Sequence, residues 1–257
     1  MNAVLAHETL GNRASVQRMV FLHGFTQTRS SMFPFISELN AHSTDLCAIA
    51  VDAPLHGESQ HILTDVAGAA DALEQTCGNA IYLGYSMGAR MCLHTAVQHP
   101  QAVRGLVLIS GTAGIVDPVS RQHRKILDNE LAEHIEQVGT QQFIHEWLSK
   151  PMFALLPQDT ADIAQRCTNS PTSLANSLRM CGTGTQGSLW DKLSTLTMPV
   201  LLIAGAHDDA FCQHARRMKE LIGLHATLEI VHGAGHSVHL EQPQITAQIV
   251  SSWLTTF

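Results

Sequence analysis

The stretch Ala80-Ile81-Tyr82-Leu83-Gly84-Tyr85-Ser86-Met87-Gly88 decides how this chain reads, because an apolar strand-like run passes straight into GxSxG and then into the helix-compatible Ala89-Arg90-Met91-Cys92-Leu93. A serine on so tight a strand-to-helix turn projects its hydroxyl away from the backbone, and the flanking glycines keep side chains out of the contact with the neighbouring strand and helix. GxSxG alone is a weak signal, since any turn of small residues can supply it. Its weight here comes from context: a strand before it, a helix after it, and an acid and a histidine far downstream in the order Ser, Asp, His.

Outward from this turn, short apolar runs alternate with amphipathic ones in two blocks, the rhythm of a mostly parallel sheet covered on both faces. The first block carries strands at 18–22, 46–51, 80–83 and 103–109, with helices near 32–40, 62–77 and 87–99. The second starts near Met198, with strands at 200–204 and 227–231, a helix around 211–222, and a last helix opened by Pro243 and running to Leu254. Proline suits the first turn of a helix, where its missing N–H costs nothing. Between the blocks the strand signal stops, and Ile126, Leu127, Leu131, Ile135 and Val138 recur at helical spacing. The expected architecture is α/β: a core of residues 1–112 and 198–257, with residues 113–197 inserted as a helical cap.

The 257 residues can bury a large core, and no apolar stretch approaches the roughly 20 residues that span a bilayer. His7, Glu8 and Arg13 do not fit a secretory leader, so a cytoplasmic, non-membrane protein is expected. Six scattered cysteines without a CxxC read as buried free thiols. A net charge of −7 with no basic stripe argues against nucleic acid. His232 and His236 are four apart, but Gly233 and Gly235 between them disfavour a helical zinc pair, and no metal is expected. A monomer acting on a small molecule is the simplest expectation.

A serine hydroxyl is a poor nucleophile or base unless a histidine takes its proton, and that imidazole needs a carboxylate to fix its tautomer. His236, in Gly233-Ala234-Gly235-His236-Ser237-Val238-His239, lies on a loop between a strand and the last helix and is the candidate. The acid should follow the strand at 200–204, where Asp208 and Asp209 stand side by side. Asp208 is preferred, with Asp209 read as the cap of the next helix. His23-Gly24-Phe25 ends the first strong strand, so the Phe25 N–H can join that of Met87 as an oxyanion hole, with His23 as a structural hydrogen-bonding residue. Arg90 follows Ser86 by one helical turn, and Arg121, Arg124, Arg166 and Arg179 fall on the inserted segment. Arg124 can equally pair with Asp128 four residues on. Several arginines over the nucleophile of an acidic protein suit a carboxylate-rich substrate. Tyr85 adjoins the nucleophile, whereas Trp147, among helical neighbours, is a core or a pocket residue.

These residues resemble the α/β-hydrolase superfamily over nearly the whole chain. Within it they are similar to the 2-succinyl-6-hydroxy-2,4-cyclohexadiene-1-carboxylate synthases of menaquinone biosynthesis. The specific match lies in Gly84-Tyr85-Ser86-Met87-Gly88-Ala89-Arg90, in Ser110-Gly111-Thr112-Ala113-Gly114, and in the cap. There Arg121, Arg124, Asp128, Leu131 and Ala132 precede Phe143, Trp147, Pro151 and Phe153, then Arg166, Leu178-Arg179 and Gly182-Thr183-Gly184. The resemblance implies an α/β-hydrolase fold and a cofactor-free lyase that eliminates pyruvate from 2-succinyl-5-enolpyruvyl-6-hydroxy-3-cyclohexene-1-carboxylate. It also implies that Ser86, His236 and Asp208 remove the ring proton, and that Tyr85, Arg90, Arg124, Trp147 and Arg166 bind carboxylates and ring. A serine hydrolase of a small ester, thioester or carbon–carbon bond is the alternative, since the same groups serve acyl transfer. Two departures stand out: Asp52-Ala53-Pro54-Leu55-His56-Gly57 replaces the common Asp-Leu-Pro-Gly-His-Gly, and Ala210 replaces a lysine.

Overall fold

A computed structural model describes residues 3–42 and 45–256. Among the described residues seven strands form one sheet: β1 (His7–Gly11), β2 (Arg18–Leu22), β3 (Cys47–Val51), β4 (Ala80–Tyr85), β5 (Val103–Ile109), β6 (Val200–Gly205) and β7 (Ala226–Val231). Their spatial order is β1-β3-β2-β4-β5-β6-β7. Every pairing is parallel except that of β1 with β3, where His7 faces Val51 and Gly11 faces Cys47. The sequence reading contains no strand before Arg18. β1, HETLG, is a half-exposed edge strand without apolar alternation, so periodicity could not reveal it.

The helices are α1 (Phe33–His42), α2 (Val66–Cys77), α3 (Met87–Gln98), α4 (Pro118–Leu148), α5 (Ile163–Arg166), α6 (Pro171–Cys181), α7 (Asp209–Ile222), α8 (Val238–Glu241) and α9 (Pro243–Leu254). Strand side chains alternate between the two faces of the sheet, with one irregularity near the start of β5, where Val103 and Leu106 share a face. Val20, Tyr82, Leu106 and Leu202 join α2, α3 and α7 in one core, while Phe21, Leu83, Val107 and Ile203 join α1 and α9 in the other. Between β5 and β6 the described residues form helices and turns and no strand. There Ala132, Ile135, Phe143 and Ile144 of α4 pack on Leu174, Ala175 and Leu178 of α6 in a third apolar cluster. Gly139, at φ 78°, breaks α4 into two helical segments. Asp117 and Ser170, each followed by proline, cap α4 and α6 by accepting from Ser120 N at 2.7 Å and Ser173 N at 3.2 Å. No helix among the described residues is long and apolar enough to cross a membrane.

The altered loop after β3 keeps the backbone that a glycine would favour. Leu55 sits at φ 67°, in the left-handed region, with its side chain fully buried. Its backbone is held at both ends, its N–H donating to the Ser59 carbonyl at 3.1 Å and its carbonyl accepting from Ser173 Oγ at 2.9 Å. Left-handed backbone costs an L-residue roughly 1–2 kcal/mol, against roughly 1.5–3 kcal/mol from burying a leucine. The two nearly cancel, so the substitution is tolerated.

Another buried group carries an uncancelled cost. His239 of α8 lies between the Tyr85 ring, 4.6 Å away between centroids, and the Phe35 ring at 5.7 Å, and neither of its nitrogens has a hydrogen-bond partner among the described residues. Burial first, then His236 and Arg166, push its pKa from 6.5 down to about 3.

Two outcomes follow from these residues. Leu55→Ala keeps the strained φ and loses the packing, about 2–5 kcal/mol, whereas Leu55→Gly loses the packing but relieves the strain. Glycine should therefore be the milder replacement by urea denaturation, the reverse of its usual rank below alanine. For His239, the unfolded chain takes up a proton as pH falls below about 6.5 while the folded chain does not, so stability drops between pH 6.5 and 3. His239→Phe should lessen that drop, gaining about 1–2 kcal/mol over the parent between pH 7 and pH 5.

Candidate active site

Ser86, Asp208, His236 and Phe25 follow the carboxyl ends of the parallel strands β4, β6, β7 and β2, the edge where open α/β sheets bind ligands. Ser86 leaves β4 at φ 52° and ψ −106° and opens α3. Such a turn is possible only because side chains are absent around it. A Cβ on Gly84 would lie 2.4 Å from the Gly88 backbone, and one on Gly88 would lie 2.3 Å from the Leu22 carbonyl oxygen of β2. Helix and strands thus meet backbone to backbone, and the strained serine is locked in place.

Ser86 Oγ lies 3.0 Å from His236 Nε2, and His236 Nδ1 lies 2.7 Å from Asp208 Oδ2. A carboxylate only accepts, so Nδ1 carries the proton and Nε2 is free to accept from the serine. Asp208, not Asp209, caps α7: its Oδ1 accepts from Phe211 N at 3.4 Å while Oδ2 holds the imidazole. The cap expected of Asp209 is thus supplied by its neighbour, because the helix starts one residue earlier than a cap at Asp209 requires. The imidazole packs against the rings of Phe211, 4.6 Å away, and Tyr85 at 5.4 Å. Its loop is fixed from two sides. Ser110 Oγ, beyond β5, donates to the His236 carbonyl at 2.7 Å, and the Glu241 carboxylate accepts from Gly235 N and, at 2.9 Å, from Ser237 N.

A cavity of about 200 Å³ opens over Ser86, lined by Phe25, Met87, Trp147, Phe211 and His236, with Arg90 and Arg124 as its cations. Met87 is the first residue of α3, so its N–H has no intrahelical acceptor. The Phe25 N–H meets no acceptor among the described residues of its loop. Arg90 is buried and donates through one nitrogen to the Cys181 carbonyl at 2.8 Å and Gln186 Oε1 at 3.0 Å. Burial lowers its pKa to about 10, still far above neutrality. Arg124 pairs with Asp128 at 2.8 Å but stays half-exposed. Trp147 Nε1 is buried in the cavity wall and finds no acceptor among the described residues.

Two of the expected binding residues lie elsewhere. Tyr85 is buried on the far side of the elbow, its hydroxyl 2.7 Å from Ser237 Oγ, and it does not line the cavity. Adjacency in sequence to Ser86 misleads, because the elbow turns successive side chains in opposite directions. Arg166 is also buried and absent from the lining, and its bonds run to the loop that carries Phe25. His23 is structural as expected, its Nε2 accepting from Ala53 N at 3.0 Å. Ala210 is exposed at the start of α7 and lines no part of the cavity.

The sequence reading missed Ser110 as an anchor of His236, Glu241, and Lys150, whose ammonium sits 4.3 Å over the Trp147 ring. Only Lys150 had a local signal, its place one helical turn after that tryptophan. No cluster of three or more His, Cys, Asp or Glu side chains among the described residues could hold a metal ion.

The sequence profile of the Alpha/beta hydrolase family matches residues 19–249. A Bacillus subtilis strain 168 protein, named as a candidate 2-succinyl-6-hydroxy-2,4-cyclohexadiene-1-carboxylate synthase, is 34% identical over 251 residues, covering 93% of this chain and 91% of its own. The synthase of that name from Serratia proteamaculans strain 568 is 31% identical, over 80% of this chain and 82% of its own. Among solved structures, MenH from S. aureus superposes with a TM-score of 0.85 at 27% identity, covering 97% of this chain and 98% of that one. A thermophilic esterase from Thermogutta terrifontis, at a TM-score of 0.80 and 22% identity over 98% and 93% of the two chains, shares the fold alone. With the elbow, the mostly parallel sheet and a profile match from residue 19 to residue 249, the chain belongs to the alpha/beta hydrolase family, on the branch shared with these synthases.

Proposed function

We propose that this protein is a 2-succinyl-6-hydroxy-2,4-cyclohexadiene-1-carboxylate synthase, a carbon–oxygen lyase of menaquinone biosynthesis. It eliminates pyruvate from 2-succinyl-5-enolpyruvyl-6-hydroxy-3-cyclohexene-1-carboxylate. The observation that carries this reading is the pairing, in one cavity, of a serine–histidine–aspartate relay with two arginines and an unpartnered tryptophan N–H. The substrate brings three carboxylates, which a cavity for a neutral ester would have no cause to meet with guanidinium groups.

In this reading Ser86 Oγ takes the proton from the ring carbon that bears the succinyl group, passing its own to His236 Nε2. The electron pair moves first onto the succinyl ketone oxygen, where the N–H groups of Phe25 and Met87 stabilise it. Its return forms the ring double bond to the next carbon, shifts the existing one along, and breaks the bond to the enolpyruvyl oxygen. The departing enol takes up a proton and becomes pyruvate. The elimination is redox-neutral, so the chemistry calls for no redox cofactor. Asp208 holds His236 in the accepting tautomer and balances the imidazolium that forms. Arg90 and Arg124 bind carboxylates, and Trp147 donates to the substrate through its indole N–H. Residues 113–197 act as a cap over the core of 1–112 and 198–257, and the protein works in the cytoplasm on this small substrate alone.

Pyruvate release, followed with a coupled dehydrogenase, tests this reading. Ser86→Ala should lose about 10²–10⁴-fold in kcat without unfolding. Arg124→Ala should raise KM by roughly ten- to a hundredfold, the worth of one charge-assisted hydrogen bond, and leave cleavage of a neutral ester unchanged. A parent protein that cleaves neutral esters well and releases no pyruvate would establish the serine-hydrolase reading instead.

A further inference from the structure

Among the described non-glycine residues at positive φ, Thr26 is the one with a β-branched side chain. It is fully buried and sits at φ 73°. The structure around it consumes its polar groups one by one. Its N–H donates to His56 Nε2 at 3.3 Å, and its carbonyl accepts from Asn169 Nδ2 at 2.8 Å. Its hydroxyl accepts from Arg166 Nη1, and the same nitrogen lies 3.5 Å from the Phe25 carbonyl oxygen. Among the described residues, every backbone polar group of the Phe25-Thr26 pair is engaged except the Phe25 N–H.

The partners are themselves immobile. His56 Nδ1 donates to the Pro54 carbonyl at 3.0 Å, which leaves Nε2 as the acceptor Thr26 requires. Burial, then His23, bring the pKa of His56 down to about 3, so the ring stays neutral and can accept. Asn169 Oδ1 also accepts from Gly57 N at 2.8 Å, tying the loop after β3 to the same point. Arg166 Nε donates to the Ala161 carbonyl at 2.6 Å, and no carboxylate lies within ion-pair distance of its guanidinium among the described residues.

From these bonds we infer that Arg166 is a positioning residue: with Asn169 and His56 it forces Thr26 into its left-handed backbone and so points the Phe25 N–H into the cavity as an oxyanion donor. This rests on the proposed elimination only for the substrate used in one arm of its test, because the same donor serves ester chemistry. It also assigns Arg166 differently from Arg124. One guanidinium shapes the loop, and the other meets a carboxylate.

The test compares Arg166→Met, Arg166→Lys, Thr26→Ala and the double variant Arg166→Met/Thr26→Ala. Three readouts are kinetics of pyruvate release, acylation of Ser86 by the neutral p-nitrophenyl acetate, and amide hydrogen exchange of residues 24–28. Arg166→Met should lower kcat about ten- to a hundredfold with KM within about twofold, and should slow acylation by a similar factor. Exchange at 24–28 should quicken while the core strands stay protected. Lysine should restore only part of the rate, since a single ammonium cannot reach the Ala161 carbonyl and Thr26 together. The double variant should be no worse than Arg166→Met alone, because that change already removes the bond the two side chains share. Thr26→Ala leaves the buried arginine in place and so decides the matter if Arg166→Met fails to fold.

A rise in KM for the carboxylate substrate alone, with acylation and exchange unchanged, would overturn the inference and make Arg166 a substrate ligand. If the parent releases no pyruvate, the proposed function falls. Acylation and exchange still judge Arg166.

Discussion

The backbone-to-backbone contact of Gly84, Gly88 and Leu22 is the constraint on which the site depends. It brings β4, the start of α3 and the end of β2 closer than any side chain would permit. Two amide donors from separate elements, Phe25 and Met87, then border the same serine. The rest of the relay is added at the same edge of the sheet, with Ser110 after β5, Asp208 after β6 and His236 after β7. Each strand contributes one short loop, so the geometry inherits the rigidity of a sheet whose central strands are buried on both faces.

Charge is distributed in the site by depth. Arg124 lies at the mouth, half-exposed and ion-paired; Arg90 lies deeper and is held by neutral acceptors; Arg166 is wholly buried behind the loop of Phe25. An ion-paired, exposed cation is screened and exchangeable, which suits a group that must greet and release an anion. A buried cation bonded to carbonyl and hydroxyl oxygens has no such freedom, and suits a fixed part of the scaffold.

Most of the fold was legible from periodicity. The strands at Arg18–Leu22 and Val103–Ile109 and the helix Pro243–Leu254 stand where the apolar runs and the helix-opening proline placed them. β1 was not, because an edge strand paired on one side has no need of apolar alternation. In the site, the chain order of Ser86, Asp208 and His236 could be read, and the structure brings those three together. What spacing could not supply was direction. Tyr85 and Arg166 were expected in the cavity from neighbourhood and resemblance, yet one points to Ser237 and the other to Thr26. Asn169 lies 143 residues from the threonine it grips, and no local pattern announces such a bond.

Asp208 divides its two oxygens between a helix end and an imidazole, so the orientation of the acid is settled during folding and costs nothing when substrate arrives. The same economy creates a blind spot. An asparagine there would still cap α7 with its oxygen while turning an N–H toward His236 Nδ1, which would drive the ring proton onto Nε2 and leave Ser86 without an acceptor. Such a chain would mature, persist and escape the proteases that remove unstable proteins. Against that one substitution folding offers no guard, since asparagine caps a helix as well as aspartate does.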